Sequence, residues 1–311
     1  MGGNRDLDRL LRFFPEQAGV HDLHNTIHRR GKTCEICRGP LLNSKPWVCP
    51  RCRANKEAYE SRAADRLGSV IYGCKGLESG DLMHRYKEAR ADGGDVLLVT
   101  ALAAVAFRHH ACVDSLAGMP PRNWATVPSL RRVGTEHAFR TILLQLLGQQ
   151  SEIRVAAAQS ARRANDSQRR EVNPDFYDVI TPVPRGSHVL VIDDTWVSGG
   201  HAQSVAMALK KAGAQQVSVL AVARWVDLQK PYPRWTYNNI IEVEPFAMDI
   251  CPWTGGDCPP PRSSPVNEIR SKPQPPHCSL HNIALASSGE CAECSKLIQK
   301  GKRRKPWYQF W

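Results

Sequence analysis

The sequence predicts an α/β fold, and three observations carry that expectation. From Trp124 onward short apolar strands alternate with helix-length segments. One of those strands ends in two adjacent acids followed by a glycine pair, and cysteines two residues apart stand on either side of the alternating region. Apolar strands separated by helices of about 10 to 15 residues argue for a parallel sheet covered on both faces.

Taken in order, residues 56–67 have helical composition, with Gly68 fitting a C-cap. Residues 69–73 read as a short strand and residues 82–90 and 96–110 as helices. Then follow a strand at 124–128, a helix at 135–147, a strand at 153–157, a buried strand at 188–192, a helix at 200–212 and a buried strand at 217–223. The proposed division is a zinc-ribbon unit at 1–68, the α/β domain at 69–250, a linker at 251–276 and a knuckle with a basic tail at 277–311. The linker is drawn where eight prolines fall within residues 252–276.

Composition bounds what this fold can do. With 311 residues, 42% hydrophobic and 23% charged, the chain excludes collagen-like, coiled-coil and wholly disordered classes. Its longest apolar run, residues 96–107, is short of the roughly 18 to 20 needed to span a bilayer, so a buried helix and no membrane partner are expected. Residues 1–11 carry acids and no apolar stretch of signal-peptide length, from which a cytoplasmic location is expected. The net charge of +12 is concentrated at the ends: residues 1–68 hold 13 basic and 8 acidic groups, 69–261 hold 20 and 19, and 262–311 hold 9 and 3. A polyanion would therefore touch the ends.

The first cysteine group is Cys34, Cys37, Cys49 and Cys52, a C-x2-C-x11-C-x2-C spacing. Each knuckle turns two thiolates toward one point, and four protein ligands leave no open position, so a structural zinc ribbon is expected. Cys278, His281, Cys291 and Cys294, spaced C-x2-H-x9-C-x2-C, predict a second zinc knuckle, for about two zinc ions in all. His21, His24 and His28 are surplus to these sets and are read as solvent-exposed. Cys251 and Cys258 read equally as a metal half-site, a redox pair or unrelated thiols, and Cys74 and Cys112 as isolated buried residues. The tail from 296 to 311 combines six basic residues with Trp307, Tyr308, Phe310 and Trp311, which suits single-stranded DNA or another nucleic acid as well as it suits a solvated tail.

The chemistry is concentrated in His188-Val-Leu-Val-Ile-Asp-Asp-Thr-Trp-Val-Ser-Gly-Gly-His-Ala202. A buried strand delivers Asp193 and Asp194 to its C-terminal end, where open α/β sheets bind ligands. The loop after them opens directly onto a helix; its glycines let the backbone wrap an anion, and the helix N-terminus adds free N–H groups. Acids that accept hydroxyl hydrogens beside a phosphate cradle point to a sugar phosphate. The stretch is no P-loop, since no Lys follows the second glycine, and no dinucleotide fingerprint, since G-x-G-x-x-G is absent.

At these residues the chain resembles the type I phosphoribosyltransferases, whose signature is an apolar strand, two acids and a Thr-Gly-Gly-Thr-like phosphate loop. Within them it is most similar to the ComF-type proteins, which join a four-cysteine zinc ribbon to a phosphoribosyltransferase domain. Tyr86-Lys87 resembles the Lys-containing helix ahead of the core, and Val127-Pro-Ser-Leu-Arg-Arg132 the strand and basic loop before a helix; the likeness runs over about residues 34–225. It implies a phosphoribosyltransferase-like parallel sheet flanked by zinc-ribbon modules. It also implies that Asp193 and Asp194 hold the ribose 2- and 3-hydroxyls of phosphoribosyl pyrophosphate (PRPP). The segment Thr195, Val197, Ser198, Gly199, Gly200 and His201 would hold the 5-phosphate, and Ser129, Arg131 and Arg132 would face the pyrophosphate, with Mg²⁺ arriving on it. The reaction implied is displacement of pyrophosphate by an unknown nitrogenous acceptor; the alternative is PRPP sensing without turnover, coupled to nucleic-acid binding in regulation or DNA uptake. His201 departs from the family, which has Thr or Ser there. Arg162, Arg163, Arg169 and Arg170 lie where the superfamily carries a mobile lid, and read equally as an exposed helix.

Overall fold

The computed structural model describes residues 23–42, 45–88, 91–131 and 136–261. Six strands are described: β1 (Arg66–Lys75), β2 (Asn123–Thr126), β3 (Val155–Ala157), β4 (Tyr177–Val179), β5 (His188–Trp196) and β6 (Gln216–Asp227). Four of them form one sheet in the order β1-β6-β5-β2, with every neighbour parallel. The predicted α/β class with helices on both faces is therefore present.

The alternation along the central strands explains the two layers. Val189 and Val191 of β5 and Val217 and Val219 of β6 pack against Ala202, Val205 and Leu209 of α8 (Gly200–Lys211). The intervening Ile192, Leu220 and Val222 face the other way, onto Leu102 and Val105 of α3 (Gly93–Arg108) and Leu143 and Leu146 of α5 (Ala138–Leu147). A period of two places consecutive residues on opposite faces. Helix α3 is apolar on every side because all of 98–107 is buried, which accounts for the longest apolar run in the sequence. No single helix among the described residues is long and apolar enough to cross a membrane.

Several expectations are corrected. The helix expected at 56–67 is α1 (Pro50–Tyr59), starting one residue after Cys49 because Pro50 fits the first helical position. It ends at Glu60, whose φ of 45° no longer follows a helix, and the chain turns into β1, so Gly68 lies inside a strand and caps nothing. At Asp65 the chain is fastened to β6: the Val217 N–H donates to its carboxylate at 2.7 Å, and the Lys210 ammonium donates to it as well. The helix expected at 82–90 is α2 (Glu78–Arg85). The strand expected at 153–157 divides in two: at its start the chain bridges β2 in parallel, Glu152 opposite Trp124 with the Ile153 N–H donating to the Trp124 carbonyl at 2.7 Å, and residues 155–157 pair antiparallel with β4 in a separate two-stranded sheet. His24 is buried, not exposed, and its Nδ1 lies 2.8 Å from the Glu244 carbonyl; His28 is exposed as expected, and His21 lies outside the described residues.

Candidate functional site

Strand β5 carries Asp193 and Asp194 to the C-terminal edge of the sheet, in register with β6 at Asp193 and Ala221. The carboxylates open into a cleft of about 220 Å³. Its walls bring together Ser129, Arg131, His137, Arg169, Arg170, Thr195 and His201. Segments of the chain far apart in sequence thus converge on the two acids, with guanidinium groups at the rim.

The two acids differ sharply. Asp194 is buried, and its Oδ2 accepts from the Tyr86 hydroxyl and from the Lys87 ammonium at 2.5 Å, with His137 Nε2 4.0 Å away. Burial opposes its ionisation, but the Lys87 and His137 charges and the hydrogen bonds from Lys87 and Tyr86 carry its carboxyl below the ordinary range. Among the described residues no cation is paired directly with Asp193. Burial and the neighbouring Asp194 charge push its carboxyl well above the ordinary range, only partly offset by the Lys87 charge beside Asp194 and by the backbone N–H of Asp194, which donates to its Oδ1 at 3.0 Å. Two carboxylates side by side inside a protein do not readily ionise together. Thr195, the next residue, has a buried hydroxyl with no hydrogen-bond partner among the described residues, an arrangement that proteins rarely leave uncompensated.

The loop from Val197 to Gly200 turns β5 into α8. Gly199 has φ 84°, and a Cβ there would stand 2.3 Å from the Trp196 ring; a Cβ on Gly200 would stand 2.1 Å from the Arg170 carbonyl oxygen. Both glycines are thus required by the turn and by the closeness of the segment after α7 (Asp166–Arg170). Val197 is exposed, and its carbonyl accepts from Arg224 at 3.1 Å. Val197, Ser198, Gly199 and Gly200 do not line the cleft in this structure, whereas Thr195 and His201 on either side of them do.

His201 is held by the small β3–β4 sheet. Its Nδ1 lies 2.8 Å from the Tyr177 hydroxyl. Burial, followed by the Arg131 charge, lowers the imidazole from its ordinary value, and burial raises the Tyr177 phenol. The Tyr177 hydroxyl can donate to Nδ1 or accept from it, and in the tautomer where it donates the neutral ring carries its proton on Nε2. Of the four arginines assigned to a lid or an exposed helix, Arg169 and Arg170 line the cleft and Arg162 and Arg163 are exposed outside it. Arg131 and Arg169 share Asp166 at 3.3 and 3.2 Å. Arg132 lies outside the described residues.

Two cysteine-rich clusters could hold zinc. In the first, Cys34, Cys37, Cys49 and Cys52 present four sulfurs all within 4.8 Å of one another, as their spacing predicts. The Cys37 and Cys49 sulfurs are 3.8 Å apart, matching the separation of about 3.8 Å that a tetrahedron with zinc–sulfur bonds of about 2.3 Å requires. Hydrogen bonding to Cys34 holds the Cys37 thiol well below its usual range and pushes those of Cys49 and Cys52 above theirs. Arg224 of β6 fixes the knuckle by donating to the Cys37 carbonyl at 3.1 Å. The cluster lies in the same apolar layer as α8.

The second cluster is not the one expected. It consists of His109, Cys112, Cys251 and Cys258, again with ligand atoms within 4.8 Å. Cys112 is therefore buried, as read, but not isolated. Cys251 opens a folded turn at the point where the linker was drawn. Burial works against ionising Cys251, but hydrogen bonds from His109 and from the Thr254 and Trp253 amides bring its thiol down to about 7. The H-x2-C spacing of His109 and Cys112 matches that of a ligand knuckle and was the available signal. Nothing local joins it to residues 139 positions or more away. Cys278, His281, Cys291 and Cys294 lie outside the described residues.

Neither protein-family models nor curated proteins give a match to this chain.

Proposed function

We propose that the cleft binds PRPP with Mg²⁺ and that the protein is a ComF-like phosphoribosyltransferase, passing phosphoribose to a nitrogenous acceptor with release of pyrophosphate. The observation that supports this reading best is the pair of acids, Asp193 and Asp194, at the C-terminal end of a central parallel strand, facing Arg131, Arg169 and Arg170 across one cleft. Acids alone would suit many cations, and arginines alone many anions. Their opposition across a small volume suits a ligand with hydroxyls at one end and phosphates at the other.

In this reading Asp194 is a fixed acceptor. Tyr86 and Lys87 hold one oxygen, and a carboxylate keeps further lone pairs for a ribose hydroxyl. Asp193 accepts the other hydroxyl once its proton has passed to solvent, an ionisation that the charge of Mg²⁺ would favour. The Thr195 hydroxyl gains the partner it lacks, and His201 donates from Nε2 to the 5-phosphate beside the N-terminus of α8. Arg131, Arg169 and Arg170 take up charge on the departing pyrophosphate, while the acids stabilise positive charge on the ribose ring. Mg²⁺ suits this donor set as a hard cation bound by phosphate oxygens and the Asp193 carboxylate, and would neutralise the leaving group. Zinc on the four thiolates of the first cluster would be structural.

The test is pyrophosphate release from PRPP and Mg²⁺ with a panel of nucleobases, ammonia and amines. Release that depends on one acceptor class supports transfer. PRPP binding with no release for any acceptor moves the reading to a PRPP sensor, and absence of PRPP binding removes it.

A further inference from the structure

The turn at 251–258 follows the α/β domain and lies across two parts of the protein at once. On one side are His109, between α3 and α4 (His110–Ala117), and Cys112 in the first turn of α4. His109, Cys112 and Cys251 are buried, while Cys258 is exposed. The His109 Nε2 is 3.2 Å from the Met248 carbonyl, which can only accept, so Nε2 carries the proton and Nδ1 presents its lone pair. That Nδ1 is 3.3 Å from the Cys258 sulfur and 3.9 Å from that of Cys112. A tetrahedral zinc with bonds of about 2.05 Å to nitrogen and 2.3 Å to sulfur places such pairs about 3.5 Å apart. A carbonyl that fixes the tautomer of a ligating histidine is the usual outer partner of such a site.

The turn itself has the shape of a ligand knuckle. The Gly255 N–H donates to the Cys251 carbonyl and the Cys251 N–H to the Gly256 carbonyl, both at 2.8 Å, with Gly255 at φ 73°. Its other side is fastened to the first cluster's module. The His28 N–H donates to the Gly255 carbonyl at 2.8 Å, and Arg38, next to Cys37, donates to the Trp253 carbonyl at 3.1 Å. The Trp253 ring covers Gly68 of β1, where a Cβ would stand 2.8 Å from it.

We infer that His109, Cys112, Cys251 and Cys258 form a second, structural zinc site that pins the 251–258 turn to the α3–α4 junction, and so clamps the module of the first cluster against the sheet. Four protein donors close the coordination sphere, so the site supplies no catalysis. Metal binding instead adds to the cohesion that the buried Trp253 ring already gives the turn.

The experiment uses the full chain purified without chelator, with zinc measured per chain before and after dialysis against a mild chelator that leaves the wild type loaded. Cys258→Ser, at an exposed position, should lose about one zinc per chain relative to wild type while keeping its circular dichroism. Cys258→His, which offers a nitrogen ligand instead, should retain it. With cobalt in place of zinc, His109→Cys should intensify the thiolate-to-metal charge-transfer band. The His28 amide should exchange faster with deuterium in Cys258→Ser than in wild type. Equal metal content in Cys258→Ser and wild type, or a disulfide between any two of the three cysteines in freshly purified protein, overturns the site. Loss of the metal with unchanged exchange at His28 overturns the clamp.

Discussion

The cleft at the end of β5 and the cysteine clusters beside the sheet are both concentrations of polar groups inside the protein, and they are satisfied in opposite ways. Each cluster gathers four donor atoms within 4.8 Å of one another, so a single ion could complete it. The cleft instead holds a carboxyl pushed well above its ordinary range, a hydroxyl with no partner among the described residues, and a rim of arginines. A closed donor set marks a place where metal finishes the fold, and an open one a place for a ligand that comes and goes. Changes at the clusters should therefore act on folding and changes in the cleft on binding, sometimes with stability moving the other way.

The largest effect is expected at the first cluster. Cys37→Ser should release about one zinc and open residues 34–52 to limited proteolysis, because structural zinc sites carry apparent binding free energies of about 10 kcal/mol or more. A variant that keeps its metal and its protease resistance would show that the cluster is only four neighbouring thiols.

Next in size are the two adjacent acids, whose effects on stability should have opposite signs. Asp194→Asn leaves the Lys87 ammonium without its carboxylate. Since Lys87 is partly exposed, the cost should be about 2 kcal/mol, below that of a fully buried pair. Because the Asp194 carboxyl is held below its ordinary range, this contribution is present at neutral pH and shrinks as the pH falls below about 4. Asp193→Asn removes a carboxyl whose folded-state value is raised. It should stabilise the ligand-free protein by about 1 kcal/mol, or roughly 2 to 4 °C in Tm. That advantage should be absent below about pH 4 and grow as the pH rises. Thermal unfolding of both variants between pH 3 and 8 checks the two signs, and shifts of the same sign would contradict the assigned partners.

The smallest effect is expected at Tyr177→Phe, which removes the hydroxyl that fixes His201. PRPP affinity should fall by about 0.5 to 1.5 kcal/mol, with the pH dependence of binding shifted because Nδ1 is freed. An unchanged pH profile would assign Tyr177 to packing alone.

How much of this could be read from the sequence follows from the range over which each feature is built. The strand ending in Asp193 and Asp194, and the cluster at Cys34, Cys37, Cys49 and Cys52, are local: their spacing alone sets which atoms meet. The sheet class was legible for the same reason, since the near-continuous apolar runs of β5 and β6, separated by a helix-length segment, record burial on two faces. Of the β3–β4 pair only β3 was read, within the strand at 153–157; β4, three residues long, carries no period, and it was β4 that supplied Tyr177 to His201. Lys87 and His137 reach Asp194 only through the folded sheet. Cys251 and Cys258 stood in proline-rich surroundings that read as linker, and only the fold showed His109 and Cys112 on the other side of the turn.

The central claim, that the β5 cleft is a PRPP site left open by the fold, is tested most directly by calorimetric titration of PRPP and Mg²⁺ into the wild type and Asp193→Asn. The variant is expected to be at least as stable as the wild type, so weaker binding cannot come from unfolding. The account predicts measurable binding by the wild type and a loss of about 2 kcal/mol, roughly thirtyfold in Kd, in the variant. Equal affinity in the two proteins, or no binding by a wild type with its zinc intact, would contradict it.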